Sequence, residues 1–197
     1  MIIKEKAVAT ISELSQINNF QKVQLNNNNT TVSKGFMAEA VKYTREKNLA
    51  TEALIRPHNG NYMYNDSEVK IMEADIFEAQ ALGLDSIAIG ALTSDHQLDE
   101  DVLKQLIAAG GGMQVTLNHV FDQLDSQAQF KAIDFANENE IDYILIHADF
   151  DSEEFLSHLK KLINYNQGST QLVVTASNEA KLAALCNELG LHQLLVD

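Results

Sequence analysis

The chain has 197 residues, 45% of them hydrophobic, and sets 28 Asp and Glu against 14 Lys and Arg. That length and apolar content are enough for one core, so a single domain over 1–197 is expected. A formal charge of −14 repels phosphate backbones and anionic lipid, which argues against nucleic acid and membranes as partners. No run nears the roughly eighteen apolar residues of a membrane span, and the start MIIKEKAVAT lacks the apolar centre of a secretion signal. A soluble, cytoplasmic protein is the expectation.

In chain order, short apolar runs alternate with amphipathic ones. MIIKEK reads as a short first strand before ATISELSQI, and FQKVQLN as a second before the helical MAEAVKYTREKN. LATEALIRP precedes EVKIMEADIFEAQALG, LDSIAIGAL precedes EDVLKQLIAAGG, and MQVTLNHVF precedes SQAQFKAIDFANENE. IDYILIHAD, TQLVVTAS and LHQLLVD are the last strands, separated by EEFLSHLKKLINYN and EAKLAALCNELG. Apolar strands separated by helices suit a parallel sheet covered by its crossover helices. Eight such units predict a closed (β/α)8 TIM barrel in the α/β class, with an open doubly wound sheet as the alternative.

The helix starts fit this phase. Asn65 with Glu68 forms a capping-box pattern, and Asp99, Asp125 or Ser126, Ser152 and Ser177 are further candidate N-caps. Gly83, Gly190 and the run Gly110, Gly111 and Gly112 follow helices as stops. The run Asn26 to Asn29 is the loop after the second strand. Cys186 lies within a helical pattern and reads as a buried, inert thiol. Because the sequence stops after the eighth strand, the barrel is expected to lack its last outer helix. That would leave apolar barrel surface bare, for a second copy of the chain to cover as a homodimer.

In a barrel the strand C-terminal ends converge on one face, where chemistry belongs. Arg56 ends the third strand and Pro57 stops it, because proline donates no ladder hydrogen bond. An arginine at the barrel mouth keeps its charge and needs an anion, either an internal carboxylate or that of a ligand. Gln24, Asn118 and Thr93 join Arg56 as candidate substrate- or anion-binding residues. His119 and Asp122 are the candidate catalytic, proton-carrying pair. His58, His119 and His147, with Asp95, Asp122 and Asp149, carry donors for a nitrogen and oxygen metal site, of which His119 and His147 are the favoured ligands. No Gly-rich phosphate loop, CxxC pair, nucleophile elbow or HExxH motif is present.

The segment IRPHNGNYMYNDSE resembles the I-R-P-R-x-G-x-[FY]-x-Y-[ST]-x-x-E segment of the CutC copper homeostasis proteins, which are TIM barrels. IGALTSD is similar to that family's turn after the fourth strand, and VTLNHVFD to its V-T-F-H-R-A-F-D strand. Arg56, Pro57, Gly60, Tyr64, Glu68, Gly90, Leu92, Thr93, Phe121 and Asp122 match, most specifically over residues 53 to 122. The family's fifth-strand His-Arg pair is Asn118-His119 here, and its second-strand glutamate is Gln24. Its Thr-Ser-Gly after the sixth strand is Ile146-His147-Ala148, and its glycine-rich turn after the seventh is Thr175-Ala176-Ser177.

The resemblance implies a copper homeostasis protein with copper as its ligand. Cu(I), however, prefers thiolate and thioether donors, and this chain offers one cysteine and five methionines. Three readings follow. One is a CutC-like copper homeostasis protein that binds copper weakly at the barrel mouth. Another is a barrel enzyme of lyase, isomerase or hydrolase type acting on a small anionic or sugar-like metabolite held by Arg56. A third is a catalytically degenerate binding protein.

Overall fold

The computed structural model describes residues 2–197 and closes a parallel eight-stranded barrel in the order β1 to β8. The strands are β1 (Ile3–Val8), β2 (Lys22–Leu25), β3 (Ala50–Leu54), β4 (Ser86–Ile89), β5 (Gln114–Leu117), β6 (Tyr143–His147), β7 (Gln171–Ala176) and β8 (Gln193–Val196). Between them run α1 (Ile11–Ser15), α2 (Lys34–Lys47), α3 (Asp66–Leu82), α4 (Glu100–Gly110), α5 (Ser126–Glu138), α6 (Glu153–Tyr165) and α7 (Glu179–Leu189). The barrel, not the open sheet, is therefore the architecture, because β1 pairs with both β2 and β8.

Local chemistry sets the helix ends. Asn65 and Glu68 complete a reciprocal capping box at α3, and Asp99, Asp125 and Ser152 cap α4, α5 and α6. At α7 the cap is Asn178 rather than the expected Ser177, its side chain accepting from Lys181 N–H. Asparagine one position later reaches the orphan amide equally well, so the boundary moves by one residue. Gly83, Gly111 and Gly190 end α3, α4 and α7 with φ of 80°, 42° and 71°.

The main apolar core lies between the barrel and its helices, where Leu14, Met72, Ile76, Leu103, Leu106 and Phe121 are fully buried. Inside the barrel, strand alternation turns Glu5, Lys22, Gln24, Glu52, Thr116 and Gln193 toward the axis, and all six are buried. Only a small apolar group, Leu145, Val173 and Leu195 with Ala7 and Tyr143, packs separately. Lys22 Nζ is 2.6 Å from Glu52 Oε1 and 3.5 Å from Glu5 Oε1, and lies over the Tyr143 ring at 5.0 Å. Glu52 also accepts from Thr116 Oγ1 at 2.6 Å and Gln24 Nε2 at 2.9 Å. Glu5 accepts from Gln193 Nε2 at 3.1 Å, while its Oε1 makes no hydrogen bond.

The expected bare apolar surface beside the last strand is absent among the described residues. The outer side of β1 presents Lys4 and Lys6, which reach Glu179 and the Asp197 carbonyl at 2.7 Å each. Leu194 and Val196 of β8 are buried. Lysine stems cover apolar strand edges while their ammonium groups stay wet, so no large apolar face remains there.

One cation between two buried carboxylates leaves room for one negative charge. Burial pushes the Glu5 carboxyl up from 4.5 to about 8, against the pull of Lys22 and with the further push of Glu52. For Glu52, burial also raises, but Lys22 and the hydrogen bonds from Gln24, Lys22 and Thr116 outweigh it and hold the group below its ordinary value. Folded protein therefore keeps a proton on Glu5 that the unfolded chain releases near 4.5. The Glu5 contribution to stability is therefore full below pH 4.5 and is lost as pH rises toward 8. Glu5→Gln, neutral throughout, should flatten that slope: between pH 5 and pH 8.5, urea melts should show the parent losing on the order of 1–3 kcal/mol more than the variant. Equal losses in the two proteins would place the proton elsewhere.

Candidate functional site

The strand C-terminal ends carry the site. Arg56 lies two residues past β3, anchored through its backbone: its N–H donates to Thr31 Oγ1 at 2.8 Å and its carbonyl accepts from Thr31 N–H at 2.9 Å. Arg56 is 7% exposed as a residue; its guanidinium stacks on the Tyr62 ring with its carbon 4.1 Å from the centroid, and donates to the Gly60 carbonyl. Among the described residues no carboxylate oxygen lies within ion-pair distance of it, and its Nε makes no hydrogen bond. The Arg–Asp brace that would have neutralised it inside the chain is thus not formed.

A cavity of about 220 Å³ opens beside it, lined by Arg56, Gly60, Asn61, Tyr62, Met63, Leu92, His96 and Gln123. Burial raises the phenol of Tyr62, and it pushes that of Tyr64 up to about 12, in both cases against the lowering field of Arg56. Both tyrosines are therefore neutral donors at physiological pH, and Tyr64 Oη is buried without a partner. The loop that follows the proline stop supplies Gly60, Asn61, Tyr62 and Met63 to the pocket wall.

The other half of the rim follows β5. Asn118 is 1% exposed, its Oδ1 accepts from Val120 N–H at 3.0 Å, and its Nδ2 makes no hydrogen bond. His119 Nδ1 and Asp122 Oδ2 are 2.9 Å apart, and both Asp122 oxygens accept from the His147 backbone N–H at 3.1 and 3.2 Å. The His119 and His147 rings lie 6.3 Å apart, and His147 Nδ1 is 3.8 Å from Asp197 Oδ2. Gln123, next to Asp122, lines the Arg56 cavity, so the two halves adjoin there. A carboxylate that orients an imidazole is a geometry suited to general acid–base transfer.

The structure brings together Arg56, Asn118, His119, Asp122 and His147 at one rim, and separates others from it. Gln24 is 3% exposed inside the barrel with its amide on Glu52. Thr93 is tied into a local turn with Gln97, donating to its carbonyl at 3.4 Å and accepting from its amide at 3.3 Å. His58 faces Glu68 at 3.3 Å and the Gly60 amide at 3.0 Å. The glutamates of the barrel interior and Tyr62 as the stacking partner of Arg56 escaped the sequence reading. Their signal was strand alternation, which turns Glu5 and Glu52 to the axis, and the two-residue spacing of Tyr62 and Tyr64.

The residues present do not make a resident copper site. Among the described residues no group of three or more His, Cys, Asp or Glu is placed to hold a metal ion. Cys186 is fully buried on α7, its thiol donating to the Gln193 carbonyl at 3.7 Å and pushed up to about 11 by burial. Met37 and Met72 are in the core, and Met63 lines the cavity beside Arg56 together with His96. One thioether with one imidazole falls short of the soft donor set that Cu(I) prefers.

Residues 16–195 match the model of the CutC family. A CutC family protein of Enterococcus faecalis is 43% identical over 139 residues, 69% of this chain and 66% of that protein. One from Streptococcus pyogenes is 31% identical over 170 residues, covering 83% and 81% of the two chains. The crystal structure of a CutC from Streptococcus agalactiae, described as a candidate copper homeostasis protein, superposes with a TM-score of 0.92 at 30% identity, over 100% and 98% of the chains. Phosphonopyruvate hydrolase, with a TM-score of 0.67 and 16% identity over 98% of this chain and 75% of its own, shares the fold alone.

Gly90 permits the Asn118 arrangement, since a Cβ there would come within 2.7 and 2.8 Å of two Val120 side-chain carbons and closer still to Asn118 Oδ1. Gly90→Ala should cost about 1–3 kcal/mol in chemical denaturation, with neighbouring rim side chains displaced. A loss under about 0.5 kcal/mol would mean that the rim adapts freely.

Proposed function

The chain belongs to the CutC family, and from that premise we propose that it serves copper homeostasis inside the cell by binding a small anionic molecule at its barrel mouth. Arg56 is the anchor and the His119–Asp122 pair the proton carrier. The observation that supports this most directly is the Arg56 guanidinium: nearly buried, without a carboxylate partner, and beside a cavity of ligand size. A charge withdrawn from water without compensation is costly, and an oxyanion presented to its free edge removes that cost. Arg56 also delivers planar, bidentate donors, which suit carboxylate and phosphate oxygens.

Calorimetric titration with inorganic phosphate tests the anchor. Arg56→Ala should weaken binding at least tenfold and Arg56→Lys less, because the ammonium keeps charge but loses the fork. Neither variant should be destabilised by more than about 1 kcal/mol, since no ion pair is broken. An Arg56→Ala protein that melts early yet binds phosphate as before would instead mark the residue as a brace.

Weak copper binding is a second reading, favoured by the proximity of the His119 and His147 rings above Asp122. Two imidazoles suit Cu(II) better than Cu(I) and hold it less tightly than a complete ligand set. One-to-one Cu(II) binding lost in both His119→Ala and His147→Ala would support it. Binding unchanged in either variant would remove it.

A further inference from the structure

Three donors at the mouth side of the barrel are buried and unpartnered: Arg56 Nε, Asn118 Nδ2 and Thr175 Oγ1. Asn118 and Thr175 are 1% and 0% exposed, and strand alternation turns both toward the barrel axis below the rim. Each comes from a different strand end, β3, β5 and β7, which alternate around the barrel and contribute to shared interior layers. Gly90, in β4's continuation between Arg56 and Asn118, adds no side chain to fill the space.

An unpaired buried donor costs about 1–3 kcal/mol, and natural proteins carry few of them without a reason. Arg56 Nε and Asn118 Nδ2 can only donate, while the hydroxyls of Thr175 and of Tyr64, which is also buried without a partner, can donate or accept; the one orphan carboxylate oxygen, Glu5 Oε1, lies deeper, against Lys22. The two obligate donors are complemented by a molecule that brings acceptor oxygens. Accepting the Arg56 site of the preceding section, we propose that it extends inward to Asn118 and Thr175. Its ligand is then a small hydroxylated acid: a carboxylate or phosphate group on Arg56 and at least one further oxygen received by Asn118 Nδ2 and Thr175 Oγ1. Neither inner donor touches solvent in the unliganded chain, so entry requires side chains at the rim to move.

The side-chain chemistry fits such a ligand: the neutral amide of Asn118 cannot move a proton but can hold a hydroxyl or carbonyl oxygen in place, and Thr175 supplies one hydroxyl. Discrimination of this kind is strong, because a ligand lacking the oxygen leaves the site's buried groups unpaired.

The test compares head groups with hydroxylated acids on the whole chain by calorimetry. Inorganic phosphate and acetate probe Arg56 alone, while glycerol 3-phosphate and glycerate carry the same head groups plus hydroxyls and separate the phosphate from the carboxylate source. Binding of one hydroxylated acid at least tenfold tighter than its bare head group is expected. Thr175→Val and Asn118→Ala should each erase most of that increment and leave head-group affinity unchanged. Thr175→Val keeps the side-chain shape and removes an orphan donor, so it should fold at least as stably as the parent. Equal affinity for head group and hydroxylated acid, with dependence on Arg56 intact, would overturn the inward extension alone. Loss of all anion binding to the parent chain would overturn both the extension and the Arg56 site. An increment that survives both inner substitutions would also overturn the extension.

Discussion

One buried ammonium holds the barrel interior together. Lys22 on β2 lies between Glu5 on β1 and Glu52 on β3, and their remaining oxygens and neighbours reach Gln24, Thr116 and Gln193 on β2, β5 and β8. Five of the eight strands are thus tied through one polar cluster. Buried ion pairs add little net stability, because desolvation consumes most of their attraction. What such a cluster does constrain is register. A slip of one residue in β2 would turn Lys22 and Gln24 outward and leave two carboxylates facing each other without a cation. The parallel ladder alone would tolerate such slips far better than this charge arrangement does.

The same cluster keeps the proton count fixed. With Lys22 charged and Glu52 ionised, neutrality is met only when Glu5 holds its proton, which is what its burial favours. The interior below the mouth is then electrically closed, with no spare charge to attract an ion. Arg56, above it, is the opposite case. Its guanidinium has an aromatic face and a carbonyl but no anion. In a chain of net charge −14 this unpaired guanidinium is what would draw an anionic ligand, at a rim that also carries Asp122 and Asp197.

The sequence was most legible where local chemistry decides the outcome. Caps at Asn65, Asp99, Asp125 and Ser152 and the glycine stops are one-residue devices whose side chains act on their own backbone, so reading them needs no tertiary knowledge. Ser177 against Asn178 shows the limit, since two adjacent residues could each do the work. The barrel interior was poorly legible for a different reason. Glu5, Lys22 and Glu52 look like solvent-facing residues of ordinary strands, and only barrel closure puts them opposite one another. Lys4 and Lys6 mislead in the reverse sense. The chain's last strand suggests an uncovered apolar wall, but the neighbouring β1 faces outward with lysines. Strand-end placement puts Arg56, Asn118, His119, Asp122 and His147 at the rim, whereas the burial of Gln24 depends on a partner 28 residues away at Glu52.

The rim also bears on how a copper homeostasis family could work without a copper cage. Metal handling by direct binding needs donors that converge, and here the thiol is locked behind α7 while the imidazole nearest a carboxylate already spends Nδ1 on it. An indirect role needs only a site that recognises a small molecule, and the rim offers groups suited to one: a cation without a carboxylate partner, two neutral phenols, a carboxylate-oriented imidazole and unused donors beneath. Hydroxylated acids are themselves oxygen chelators of divalent metals, hard ligands of the kind that hold Cu(II) in solution. A protein that binds or alters such an acid would change copper availability with no metal touching its own side chains. The unpartnered Arg56 and the absence, among the described residues, of a group of three or more His, Cys, Asp or Glu placed to hold a metal are then compatible with each other in a copper homeostasis family.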